Sequence, residues 1–68
     1  MTIGQRIKQQ RQARYWTKAR LAQEAGTTTS VICVWESGKF EPSLSSFVKL
    51  CRAFHILMDE FMKGVDIR

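Results

Sequence analysis

Residues 17–38 read TKARLAQEAGTTTSVICVWESG, and the reading of this stretch decides the fold. Thr17 is a favourable N-cap, because its hydroxyl can take a backbone N–H that the first helical turn leaves without a partner. Trp16, immediately upstream, is placed to pack on Leu21 as a hydrophobic staple. This helix stops at Gly26, and the next starts almost at once with Thr28 as N-cap, Ile32 and Trp35 following at spacings of four and seven. Gly38 ends it. Two helices joined by about three residues around a glycine give the outline of a helix-turn-helix.

Upstream, a helix over Thr2 to Ala13 places Ile3, Ile7 and Arg11 on one stripe. Downstream, after the Lys39-to-Pro42 loop, Ser43 caps a fourth helix in which Phe47, Leu50, Cys51 and Phe54 recur at i, i+3, i+4 and i+7, a core stripe. A short fifth helix covers Met58 to Lys63 before Gly64. With no strand alternation, repeat or low-complexity tract, the chain is expected to be all-α, with one domain over residues 1–64 and a C-terminal tail over 65–68.

Sixty-eight residues suffice for one small core, and 44% hydrophobic with 25% charged residues is the composition of a folded globular chain. Cys33 and Cys51 form no CxxC pair and His55 is the lone histidine, so neither a zinc site nor a disulfide framework is supported. No metal or cofactor is expected. Those thiols fit a reducing cytoplasm. Apolar stretches are only a few residues long, so neither a membrane span nor a signal peptide is expected. With one histidine, no nucleophile–base pair and no phosphate loop, an enzyme would lack its reagents.

The net charge of +5 is unevenly spread. Arg6, Lys8, Arg11, Arg14, Lys18 and Arg20 all precede the first acid, Glu24, and from Glu24 onward five bases face six acids. A basic end suggests a polyanionic partner, although a solvated basic helix face has the same composition.

The helix after Thr28 has an inner face of Thr28, Val31, Ile32 and Trp35 and an outer face of Thr29, Ser30, Cys33, Val34 and Ser37. The outer face is small and uncharged. A helix that enters the major groove needs short side chains to approach base edges, and a protein-contact surface would look similar. Lys18 and Arg20 stand in the first turn of the preceding helix, where the macrodipole disfavours positive charge, so phosphate contact would explain them.

Taken together, Ile3-Gly4-Gln5-Arg6-Ile7-Lys8 with Arg11, Thr17 leading to Leu21-Ala22, Ala25-Gly26, Ile32, Trp35-Glu36-Ser37-Gly38-Lys39, Pro42-Ser43 and the Leu50-to-Phe61 region resemble the Cro/CI (XRE) helix-turn-helix domain. The resemblance covers nearly the whole chain. It implies a five-helix, lambda-repressor-like DNA-binding domain and a sequence-specific transcriptional regulator, with the helix over Thr28–Ser37 in the major groove. The family's base-reading positions fall on Thr29, Ser30 and Val34, with Thr28 near the first phosphate or base edge. Its backbone-contacting positions fall on Lys18 and Lys39, to which Arg20 is added, and its structural ion pair on Arg11 and Glu36. The chain departs from the family in Tyr15 and His55, where glycine is usual, and in Leu57, where a small polar cap is usual.

A single domain of this size reads few base pairs, so a homodimer on a pseudo-palindromic operator is expected. If Phe61 and Met58 fill the core, Leu57, Met62 and Val65 remain for a self-complementary contact. The alternative is a protein-interaction module of the same fold, an antitoxin or a partner of another regulator. Cys51 reads as a small buried hydrophobe, whereas Cys33, on the outer face, is a candidate redox-sensing thiol.

Overall fold

Hydroxyl side chains set the beginnings of four helices. Thr2, Thr17, Thr28 and Ser43 each hold extended backbone and accept the amide N–H of the residue three further on, from Gln5, Arg20, Val31 and Ser46 respectively. Each such cap is worth about 1 kcal/mol against alanine. In the computed structural model, which describes residues 1–66, the helices are α1 (Ile3–Ala13), α2 (Lys18–Ala25), α3 (Thr29–Ser37), α4 (Leu44–Phe54) and α5 (Met58–Met62). At the start of α1 the cap is reciprocal, because the Gln5 side chain accepts the Thr2 N–H at 2.8 Å.

Gly26 ends α2 in left-handed backbone, φ 70°, where the Thr27 N–H closes onto the Ala22 carbonyl at 2.8 Å. That turn sends α3 off at once. Tyr15 and His55 hold φ 57° without being glycine, at the ends of α1 and α4.

The core forms where the stripes meet, with Ile7, Leu21, Ile32, Leu50, Phe54 and Phe61 fully buried. Phe61 lies edge-on to Phe47 at 5.1 Å and stacks on Phe54 at 6.3 Å. Trp16, assigned from sequence to a staple on Leu21, stacks on Phe54 at 5.9 Å, so it joins the α1–α2 turn to α4. Helix α2 packs on α3 and α4, α1 packs on α3 and α5, and α5 touches α1 and α4. Gly4 is buried where α1 crosses the end of α3, and a Cβ there would overlap the Trp35 carbonyl oxygen.

The fifth helix differs from its reading in sequence. It ends at Met62, and only Phe61 of its residues is buried. Met58, assigned to the core, is exposed at 40%, while Met62, assigned to a dimer surface, is packed against the core. A five-residue helix can aim one large side chain squarely inward. The chain after α5 then turns back onto Met1, the Asp66 N–H meeting the Met1 carbonyl at 2.8 Å, which adds neighbours at the Met62 end that Met58 lacks. Leu57 is 79% exposed and Val65 is half-buried. Val65 and Asp66 thus stay hydrogen-bonded to the domain, and the remainder of the expected tail, residues 67–68, lies outside the described residues.

Candidate nucleic-acid interface

The outer face of α3 consists of Thr29, Ser30, Cys33 and Ser37, all exposed, with Val34 half-buried at its edge. Thr29 and Ser30 have hydroxyls that make no hydrogen bond among the described residues, so both their donors and acceptors face outward. Thr28 is exposed as well, but its Oγ1 accepts the Val31 N–H at 3.3 Å, which leaves the hydroxyl proton for an outside acceptor. Ser37 is occupied: it donates to the Val34 carbonyl at 2.8 Å and accepts the Lys39 N–H at 3.3 Å, which fixes the start of the loop after α3. Lys39 and the neighbouring Phe40, the latter 65% exposed, project from that loop.

Two bases of α2 were singled out from sequence, and the structure separates them. The Lys18 ammonium reaches across to α3, with Nζ 3.5 Å from Cys33 Sγ, so it flanks the outer face. Arg20 turns the other way, its Nε 3.1 Å from Glu24 Oε1 and its guanidinium 5.0 Å from the centre of the Trp16 ring. Lys18 therefore lies against α3 and the exposed Lys39 follows its C-terminal end, while Arg20 is turned onto its own helix and Trp16.

The other arginines of the basic end serve the fold. Arg11 Nε and Nη2 hold both carboxylate oxygens of Glu36 at 2.8 and 3.2 Å, and Nη1 donates to the Trp16 carbonyl at 2.8 Å. Their side chains are 11% and 4% exposed, so this fork is nearly dry and ties α1 to the end of α3. Arg6 donates to the carbonyls of Phe61 and Glu60, at 2.7 and 2.8 Å. Arg14 donates to the Phe54 and Gln10 carbonyls and lies 4.8 Å over the Phe54 ring, and burial pulls its pKa below the usual arginine value. Sequence counting could not see the Arg6 and Arg14 contacts, because each of these charges meets backbone carbonyls, most of them distant in sequence.

Among the described residues no group of three His, Cys, Asp or Glu side chains is arranged to hold a metal ion, and no helix is long and apolar enough to cross a membrane. What the face offers is short hydroxyls and a thiol, with the Lys18 ammonium beside it and the exposed Lys39 just past the end of the helix.

The family model for the helix-turn-helix domain matches residues 4–67. The chain belongs to this family. Its helix-turn-helix domain is 27% identical over 67 residues to the HTH-type transcriptional activator BcrR of Enterococcus faecalis, covering 98% of the chain and 33% of that protein. The chain thus spans about a third of the length of that curated relative. Among solved structures it is similar to the DNA-binding domain of the P22 C2 repressor, with a TM-score of 0.87 and 26% identity over 94% of this chain and 84% of that one. The same repressor in complex with synthetic operator 9T matches with a TM-score of 0.84 and 26% identity, over 94% of this chain and 97% of that one. The restriction-modification controller protein C.AhdI from Aeromonas hydrophila is 30% identical with a TM-score of 0.82, over 87% of this chain and 89% of that one. The five-helix arrangement is thus that of lambda-repressor-like helix-turn-helix domains.

Proposed function

We propose that this helix-turn-helix domain reads double-stranded DNA as the DNA-binding part of a transcriptional regulator, a cytoplasmic binding role rather than a catalytic one. The observation that carries it is the outer face of α3: exposed Thr29 and Ser30 hydroxyls with no partner among the described residues, no charged side chain, Lys18 against the face and the exposed Lys39 just past the helix end. Short hydroxyls let a helix backbone come close to base edges, and the apolar edge of Val34 suits a thymine methyl. The flanking ammonium groups meet phosphates, which position the protein without reading sequence. The likeness to a repressor solved on operator DNA supports the same placement of α3.

One such helix reads few base pairs, so the domain acts as a symmetric homodimer on a pseudo-palindromic site, its two reading helices about one DNA turn apart. Binding measured by fluorescence anisotropy on random and on selected duplexes, over a range of salt, tests the proposal. Affinity falls steeply with salt, Lys18→Ala weakens all sequences alike and lowers the salt slope by about one, and replacing Val34 changes the selected sequence. Unchanged DNA binding in the Thr29→Ala/Ser30→Ala/Val34→Ala variant would refute the reading face. Absence of salt-dependent binding to any duplex would leave α3 as a protein-contact helix.

A further inference from the structure

Between Thr28 and Ser37 the sequence carries a single side chain with a charge or an amide, Glu36. That carboxylate is withdrawn from the face: Arg11 holds both of its oxygens, and the side chain is 4% exposed. Bidentate reading of guanine takes arginine or lysine, that of adenine takes asparagine or glutamine, and the amino group of cytosine is met by a carboxylate. The outer face of α3 offers none of these groups. It presents the Thr29 and Ser30 hydroxyls, the Cys33 thiol beside Lys18, and the methyl groups of Val34 at its edge.

Hydroxyls separate the two pyrimidines poorly. A rotatable O–H donates to O4 of thymine as readily as its oxygen accepts from the amino group of cytosine. The Thr29 and Ser30 hydroxyls are held to neither role, because no group among the described residues binds them. Val34 is the selective member of the face. It stands one turn on from Ser30, about 6 Å along the helix, half-buried, with a β-branched side chain that a helix holds in one preferred rotamer. Its side chain neither donates nor accepts, so the feature of a base edge that it can grip is a C5 methyl group. Thymine carries that methyl in the major groove, and 5-methylcytosine carries one at the same ring position.

We infer that this face reads the C5 methyl group of a pyrimidine and not the base pair that bears it, with Val34 as the specificity-determining residue. 5-Methylcytosine then substitutes for thymine in the site, and DNA binding responds to methylation of cytosine at C5. The inference rests on the DNA-reading role and names what that role recognises. Burying one methyl group raises affinity about fourfold. That increment is the same on either pyrimidine, because Val34 senses neither O4 nor the amino group and the neighbouring hydroxyls accommodate both.

Fluorescence anisotropy at fixed salt on a selected duplex tests this with two comparisons that each differ by one methyl group: thymine against uracil opposite adenine, and 5-methylcytosine against cytosine opposite guanine. Each thymine of the site is replaced in turn. At the thymine that meets Val34, uracil lowers affinity about fourfold, cytosine lowers it at least as much, and 5-methylcytosine restores it to within about twofold of thymine. Val34→Ser removes both methyls of the side chain. With far-UV circular dichroism unchanged, it makes thymine and uracil bind alike, and 5-methylcytosine and cytosine alike. Lys18→Ala lowers all four affinities by one factor and keeps both methyl increments, as a phosphate contact should. Uracil tolerated at every thymine overturns the inference, as does 5-methylcytosine binding no tighter than cytosine at the uracil-sensitive position. A methyl increment that survives Val34→Ser overturns the assignment to Val34. The DNA-side comparisons use the unaltered protein, so they decide the matter even if Val34→Ser fails to fold. A domain that binds duplexes without regard to the methyl sinks this inference and leaves the DNA-reading role standing, whereas one that binds no duplex removes that role and this inference with it.

Discussion

Replacing Glu36 by Gln removes the charge from the fork that Arg11 makes and leaves its shape almost unchanged. Arg11 then keeps its Trp16 carbonyl acceptor, at 2.8 Å, but loses the negative charge and one of its two Glu36 oxygens while its side chain stays 89% covered. The amide offers one acceptor and turns an NH₂ donor toward a guanidinium that only donates. Breaking a buried pair from one side costs about 3–5 kcal/mol, and the retained Trp16 contact favours the lower end of that range. A domain of this length holds only about 3–10 kcal/mol in total. At about 4–8 °C per kcal/mol, the melting temperature falls by 12 °C or more, roughly, and the variant is substantially unfolded near physiological temperature. Thermal melts followed by far-UV circular dichroism read this, with urea unfolding as a second measure. The double variant Arg11→Met/Glu36→Leu removes both charges together and melts above Glu36→Gln, because an apolar contact of similar volume replaces an orphaned cation. A Glu36→Gln protein melting within about two degrees of the parent would refute the reasoning, since it would mean the fork is hydrated after all.

Gly4→Ala raises helix propensity in α1, yet its Cβ meets the Trp35 carbonyl, so a loss of about 1–3 kcal/mol is expected in urea unfolding, and a gain in stability would show that the α1–α3 crossing is loose. Tyr15, 96% exposed at φ 57°, makes no contact worth keeping, so Tyr15→Gly exchanges about 1–2 kcal/mol of left-handed strain for a smaller entropy term and raises the melting temperature by a few degrees; a fall would place the ring in a contact. Cys33 is exposed and Cys51 buried, so iodoacetamide modifies Cys33 in the native protein and Cys51 only after urea unfolding, as peptide mass mapping shows; early modification of Cys51 contradicts the packing. Burial also pushes the Cys51 thiol pKa up, so its contribution to stability is complete below the ordinary thiol range and declines as pH rises through that range toward the raised value; Cys51→Ala flattens this alkaline loss, and an unchanged slope contradicts the assignment.

What the sequence determined by itself is whatever depends on neighbours within a turn or two. Thr17, Thr28 and Ser43 announce helix starts because a cap is a bond to the third residue on, and Gly26 and Gly38 announce ends because left-handed backbone is a property of one residue. The Phe47–Leu50–Cys51–Phe54 stripe and the small outer face of α3 follow from a 3.6-residue period and need no tertiary knowledge. Tertiary structure decided where long side chains end. Arg6 reaches Phe61 across 55 positions and Arg14 reaches Phe54 across 40, so much of the basic end is bound to carbonyls inside the fold and does not face a partner. Lys18 and Arg20 look alike two residues apart, but one lies against α3 and the other over Trp16, because 200° of helix separates their directions. Met62 packs against the core while Met58, expected there, is exposed, because burial at a five-residue helix depends on which of its ends the returning chain covers. A flexible side chain several carbons long selects its partner from everything within its reach, and what lies there is set by how the helices pack.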